Sequence, residues 1–231
     1  LIKFSGAMPT QQRTLGPYEG IVEYIYLKMA EAAGITVPDY RLITDESGVQ
    51  HIAVRRFDRP TCTDRIHCAT AAGLLHADPG VPSLDYNDLI KWSWVLTRDN
   101  TSVEEQFRRA VFNYYSVNRD DHAKNHGYLM DSDGRWRLSP AYDLTYSTGP
   151  GGEHWTSYLG QGKNVSHKVF LKLAQSGLIH EKTAIDIIDQ VRTAIARFSL
   201  LSNDFDVPSK CISPILDDMK IGASAAHNSD E

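Results

Sequence analysis

The sequence predicts an α+β fold in two unequal parts, a small strand-bearing amino-terminal part and a larger, mostly helical remainder. Three observations carry this. Apolar residues recur at helical spacing in several windows beyond residue 60. The runs Leu1–Phe4 and Ile52–Val54, and the segments flanking Asp131–Gly134, instead look like short strands. A chain of 231 residues, 42% hydrophobic and 23% charged, has ordinary globular composition and can bury one sizeable core or two unequal lobes.

The elements follow in chain order. Leu1-Ile2-Lys3-Phe4 reads as a strand. Tyr18 to Ala33 places Val22, Ile25, Tyr26, Met29, Ala30 and Ala33 on one side of a helix, with Gly34 as its stop. Ile52–Arg59 reads as a strand whose charged end is Arg55 to Arg59. The boundary is expected after Arg59, where Pro60-Thr61-Cys62-Thr63-Asp64 interrupts regular structure. Residues 1–59 then form the small part and 60–221 the helical part. Helices are expected over Tyr86–Leu96, Val103–Val117, Lys168–Gln175 and Glu181–Phe198, the last with Ile185, Ile188, Val191, Ile195 and Phe198 in one stripe. Gly127–Met130 and Arg135–Leu138 form a hairpin around Asp131-Ser132-Asp133-Gly134, because the Asp-Gly pair tolerates positive φ. Gly149–Gly162 reads as a mobile surface loop that could border a cleft. The tail 222–231 has little apolar content and is expected to be disordered.

Composition narrows the function. A net charge of −5 without a basic run gives no support to a general nucleic-acid surface. No apolar run approaches membrane-spanning length, and the amino terminus does not read as a signal peptide. Cys62, Cys68 and Cys211 are odd in number and lack zinc spacing, so free thiols in a reducing cytoplasm are expected.

The chemistry concentrates in Asn118-Arg119-Asp120-Asp121-His122-Ala123-Lys124-Asn125. Apolar Phe107, Ala110, Val111, Tyr114 and Tyr115 lead a buried helix into this polar loop. Asp120 and Asn125 stand five positions apart, and Asp143 follows the hairpin in Leu138-Ser139-Pro140-Ala141-Tyr142-Asp143-Leu144. This is the layout a protein kinase uses for phosphoryl transfer. The first Asp takes the proton of the attacking hydroxyl, and the Asn and second Asp hold Mg2+ against the ATP phosphates. One carboxylate and one amide oxygen, completed by phosphates and waters, suffice for that ion. Taken alone, the same spacing also suits ordinary turn formers and caps. A rival chemistry pairs His122 with His126, four positions on, and with Asp120, Asp121 and Asp143 in a zinc or manganese hydrolase site, with His154 or His167 as a third imidazole.

The segments NRDDHAKNHGYLM and WRLSPAYDLTYS resemble the HipA family of bacterial toxin Ser/Thr kinases, whose pattern runs D-x-H-x-K-N and then L-x-P-x-Y-D. TGPGGEHWTSYLGQGKN resembles the segment that comes next in short members of the family. Further matches fall in the order a kinase needs. Leu1-Ile2-Lys3-Phe4 resembles the strand whose Lys meets ATP phosphates, and Glu23-Tyr24 resembles the N-E-Y helix segment. Gly34-Ile35-Thr36-Val37-Pro38 matches G-x-x-V-P, and Ala53–Arg59 resembles A-x-E-R-F-D-R, the hinge between lobes. The likeness runs from about Lys3 to Phe198.

The resemblance implies a kinase-like two-lobe fold. Asp120 would be the catalytic base, with His122 and Lys124 beside it. Lys3, Arg56, Phe57, Asp58, His122, Lys124, Asn125, Tyr142 and Asp143 would line the ATP site, and Asn125 and Asp143 would ligate Mg2+. It also implies a protein substrate such as an aminoacyl-tRNA synthetase, an antitoxin partner, and DNA contact only through that antitoxin. Arg55 stands where the family has Glu, so no role is carried over to it. The glycine-rich phosphate loop would precede Lys3, and no G-x-G-x-x-G occurs in these residues. A fragment, an upstream segment and a separate small-lobe partner chain all remain open, as does a non-catalytic pseudokinase that only binds an antitoxin.

Overall fold

A computed structural model describes residues 1–6, 15–78 and 80–228. In chain order the first part comprises β1 (Ile2–Lys3), α1 (Glu19–Ala32), β2 (Tyr40–Thr44) and β3 (Gln50–Val54). There follow β4 (His67–Thr70), α2 (Ala71–Leu74), β5 (Leu84–Asp85), α3 (Tyr86–Thr97), α4 (Asn100–Tyr115), β6 (Gly127–Met130), β7 (Trp136–Leu138) and β8 (Thr156–Ser157). The chain closes with α5 (His167–Ser176), α6 (Glu181–Ile195), α7 (Phe198–Asn203) and α8 (Ser209–Asn228). Among the described residues, no helix is long and apolar enough to cross a membrane.

The first sheet is antiparallel in the order β1-β3-β2, with Lys3 opposite Ile52. α1 lies on it. Its periodicity buries Val22, Ile25, Tyr26, Met29 and Ala30, and Gly34, at φ 78°, lets the chain turn away after the last turn. Gly20 is required by close approach. A Cβ there would stand 2.7 Å from Ser5 Oγ and 2.8 Å from the Gln50 carbonyl oxygen, so only glycine lets the helix start this near β3. The opposite side of α1 packs on α6 and α7, so one continuous core joins the sheet to the helices.

A second sheet, β4-β6-β7, contains the expected hairpin in the register Tyr128 to Leu138 and Met130 to Trp136. Asp131 Oδ1 accepts from the amides of Asp133 and Arg135, and Gly134 takes φ 79°. β5 and β8 form a short parallel pair. α4 begins earlier than its apolar pattern indicates, because the Asp99 carboxylate accepts from the amides of Thr101 and Ser102.

Four expectations are corrected. The helix expected over Glu181–Phe198 ends at Ile195, and a separate α7 starts at Phe198. Ile185, placed in its apolar stripe, is 36% exposed, while Ile187, Ala184 and Ala194 are buried in its stead. Gly149–Gly162 is not a surface loop throughout, since His154, Thr156 and Tyr158 are buried. The last helix continues from Ser209 through Gly222 to Asn228, where a disordered tail was expected, because Ile212, Ile215, Met219 and Ala226 keep one side against the core. Residues 229–231 of that tail lie outside the described residues.

Candidate active site

The site begins at β1. Its pairing with β3 directs Lys3 toward α1, where Glu23 occupies a buried helix face one residue from Val22. A carboxylate in such a place needs a cation. Lys3 Nζ donates to Glu23 Oε1 at 2.7 Å and also to Asp143 Oδ1. Burial alone would lower the Lys3 ammonium, but the charges of Glu23 and Asp143 outweigh it and raise the group above the ordinary lysine value. Lys3 is therefore a fixed cation joining the first sheet, α1 and the segment after β7. The start of α1 is pinned from the same side. Ser5 Oγ donates to the Gln50 carbonyl and accepts from the Gly20 amide, while the Ser5 amide donates to His51 Nδ1 at 3.0 Å.

Glu23 belongs to this cluster although the sequence did not single it out. Its signal was present in the Glu23-Tyr24 match and in a lone acid among Ile21, Val22 and Ile25, but only the fold shows which lysine meets it.

The polar loop leaves α4 and carries Asp120 to Asn125. It holds only a single 3-10 turn, Ala123–Asn125. Asn125 Nδ2 donates to the Asp120 carbonyl at 2.9 Å. With the amide nitrogen committed to the loop's own backbone, Oδ1 is the atom left for a cation. The Asp120 side chain is 48% exposed, and its Oδ1 lies 3.9 Å from His122 Nε2. Lys124 is exposed, and its carbonyl accepts from Tyr142 Oη at 2.6 Å. That bond ties the segment ending in Asp143 to the loop carrying Asp120 and Asn125. Burial pushes the Tyr142 phenol up, so the hydroxyl stays a donor.

The Pro140–Asp143 segment is held from three further directions. Arg109, in an ion pair with Glu105 at 2.8 Å, donates to the Ser139 carbonyl at 2.8 Å. The Ala141 amide donates to the Thr36 carbonyl at 2.8 Å. Gly127 lets Ser139 and Tyr142 close over β6, where a Cβ would meet Ser139 Oγ at 2.7 Å. Asp143 itself sits at φ 59°, a left-handed conformation that Asp tolerates better than most residues.

The Arg56–Asp58 segment lies beside Tyr142, with the Phe57 ring 5.5 Å from the Tyr142 ring. Arg56 is chelated by Asp58, through Nε at 2.8 Å and Nη2 at 2.5 Å. That ion pair holds the Asp58 carboxyl below its usual range and the Arg56 guanidinium above its own.

The histidine-based hydrolase reading does not survive the geometry. His126 is buried, its Nε2 donates to the Asp121 carbonyl at 3.1 Å, and its Nδ1 faces Gln106 Nε2 at 3.4 Å, so both ring nitrogens are engaged. Burial pulls its pKa down to about 4. The single 3-10 turn does not place His122 and His126 on one helical face, and His154 is turned onto Asp121. Among the described residues, no group of three or more His, Cys, Asp or Glu side chains is gathered to hold a metal. A pair made of the Asn125 amide oxygen and the Asp143 carboxylate is not such a cage. A set of one amide oxygen and one carboxylate suits Mg2+ only when phosphate oxygens and waters complete it.

Residues 1–198 match the family profile of the HipA-like C-terminal domain. The fold is similar to that of HipA from Shewanella oneidensis MR-1, solved with HipB and its operator DNA. That match has a TM-score of 0.69 at 16% identity, covering 98% of this chain and 57% of that one. It is also similar to the proinflammatory kinase CtkA of Helicobacter pylori, with a TM-score of 0.53 at 15% identity and 85% of each chain covered. The chain thus spans little more than half the length of the Shewanella protein. No curated protein matches the sequence.

Proposed function

The chain belongs to the family of HipA-like C-terminal domains, and from that premise we propose that it is the catalytic region of an ATP-dependent Ser/Thr protein kinase acting within a toxin–antitoxin system. The observation that carries this reading is the contact of Lys3 with both Glu23 and Asp143, in a segment that Tyr142 ties to the loop of Asp120 and Asn125. A lysine on a strand paired with a helical glutamate, beside an aspartate and an Asp-x-x-x-x-Asn loop, is the constellation that positions and neutralises a nucleotide triphosphate.

Each residue then has a role. Lys3, oriented by Glu23, would meet the α and β phosphates. Asn125 Oδ1 and the Asp143 carboxylate would hold Mg2+, which when bound offsets phosphate charge. Arg56, Phe57 and Asp58 would border the adenine, with the Phe57 and Tyr142 rings forming an apolar wall. Asp120 would accept the proton of a substrate Ser or Thr hydroxyl as its oxygen attacks phosphorus. Lys124 would reach the transferring phosphoryl group, and His122 would steady the loop beside Asp120. Catalysis of this kind rests on positioning and charge, which suits a site assembled from fixed ion pairs. An aminoacyl-tRNA synthetase as substrate, an antitoxin as partner and DNA contact only through that antitoxin rest on the family resemblance. A net charge of −5 agrees with indirect DNA contact.

The test is ATP titration into the intact protein carrying this chain, with and without Mg2+, followed by transfer of labelled γ-phosphate to cellular proteins. Mg2+-dependent binding and label on Ser or Thr are expected. ATP binding without any protein gaining phosphate would replace this reading with the pseudokinase one, and absence of binding would overturn both nucleotide roles.

A further inference from the structure

Asp120 and Asp121 are neighbours of identical chemistry with opposite environments. Asp120 is half exposed, whereas the Asp121 side chain is fully buried and sits at the centre of a polar network. Asp121 Oδ2 accepts from Tyr86 Oη at 2.7 Å and from His154 Nδ1 at 2.9 Å, and its Oδ1 accepts from the Thr156 amide at 3.2 Å. Its carbonyl accepts from Thr156 Oγ1 and from His126 Nε2. Tyr86 in turn accepts from Asn113 Nδ2 at 2.7 Å, which reaches back into α4. The His154 ring is itself immobilised, stacked on Tyr114 at 5.8 Å and edge-on to Tyr158 at 5.2 Å, while its amide donates to the Gly162 carbonyl at 2.8 Å.

This network belongs to none of the nucleotide-facing groups. It grips one residue of the loop from α3 and, through both His154 and β8, from the Gly149–Gly162 segment at once. With Asp121 fixed at both carboxylate oxygens and the Asp120 carbonyl accepting from Asn125 Nδ2, the peptide that joins the two aspartates has little freedom left. A buried carboxylate satisfied on every side behaves as a rigid post, and a misplacement of about 1 Å in a reacting group can cost about 100-fold in rate.

We propose that the Asp121–His154 pair is the positioning device of the catalytic loop, with His154 setting the place of Asp120 through Asp121. The inference rests on the kinase reading for its effect on turnover, but its effect on loop order does not depend on it. His154 touches neither nucleotide nor acceptor in this role. It is a positioning residue, and its loss should lower kcat and leave the affinity for Mg-ATP almost unchanged.

The test compares three variants of the intact protein under conditions where each is folded. His154→Ala removes the donor to Asp121. His154→Asn places an amide nitrogen near the position of Nδ1 and keeps it. Leu173→Ala, a buried change on α5 away from the loop, controls for general destabilisation. Two readouts are taken, namely hydrogen exchange of the amides of 119–126 and the split of kcat against the Kd of Mg-ATP. Faster loop exchange and a roughly 10- to 100-fold lower kcat in His154→Ala, both largely recovered in His154→Asn and absent in Leu173→Ala, are expected. Loop exchange that is unchanged in His154→Ala, or equally raised in Leu173→Ala, overturns the proposal. If the parent protein transfers no phosphate, the kinase reading fails and the exchange arm still decides whether the pair orders the loop.

Discussion

Replacing Glu23 by Gln isolates what the buried carboxylate on α1 does for Lys3. The change is nearly isosteric and removes one of the two charges that hold the ammonium, leaving Asp143 as the stronger partner. Lys3 should then swing toward the very carboxylate proposed to hold Mg2+, so the lysine and the ion compete. A charge-assisted hydrogen bond contributes about 1.5–3 kcal/mol. Because the Lys3 side chain is 36% exposed, solvent screening places the effect near 1–2 kcal/mol. At about 1.4 kcal/mol per decade, that is a roughly 5- to 30-fold loss in kcat/KM for Mg-ATP. The folded state should change by less than about 1 kcal/mol, since Gln fills the same space and still offers an amide oxygen to Lys3. Steady-state phosphotransfer with ATP varied, together with a thermal melt, measures both quantities. A Glu23→Gln protein within about twofold of the parent, when Lys3→Met is inactive, would refute the orienting role of Glu23. If Lys3→Met were also neutral, the phosphate role of Lys3 would fall with it.

Other outcomes come from the same geometry. Asp120→Asn keeps the shape of the loop and removes the proton acceptor, so transfer should drop by roughly 10²–10⁴-fold with ATP affinity nearly intact, as single-turnover kinetics can show. Asp143→Ala should abolish Mg2+-dependent ATP binding. Because residue 143 sits at φ 59°, Asp143→Gly should fail equally in binding yet melt higher than Asp143→Ala, by about 1 kcal/mol of left-handed strain. Tyr86→Phe strips the bridge between Asp121 and Asn113 in the core, which should cost about 2–4 kcal/mol and lower Tm by roughly 4–16 °C in a calorimetric scan. Acid should act through Asp121. Burial would raise its pKa, but His154 and the bond from Tyr86 outweigh that and hold it below the usual carboxylate value. Its stabilising contribution is therefore complete above an unfolded pKa of about 4 and is lost as pH falls through the lower folded value. Urea midpoints measured from pH 6 down to pH 2.5 should show a steepening below about pH 4 that Asp121→Asn lacks.

Much of this molecule is written locally. The helical stripe of α1, its Gly34 stop, the Asp-Gly hairpin and the spacing of Asp120, Asn125 and Asp143 all depend on residues within a few positions of one another, where side-chain periodicity and turn chemistry act directly. Composition misled where burial came from afar. Gly149–Gly162 has the glycine content of a surface loop, yet His154, Thr156 and Tyr158 are buried because β8 pairs with β5 and Asp121 accepts from His154. Local patterning also could not tell where the helix after Glu181 breaks, since both of its segments carry apolar residues and only packing against the rest of the core divides them. The site itself was decided by tertiary structure. Lys3 meets Asp143 across 140 positions and Glu23 across 20, contacts fixed by the β1–β3 register and by the rotation of α1. Two adjacent aspartates, Asp120 and Asp121, are equivalent as sequence. One is turned inward because a tyrosine hydroxyl, an imidazole and a backbone amide from distant segments converge there to replace the water a buried carboxylate loses, and its neighbour is left about half exposed.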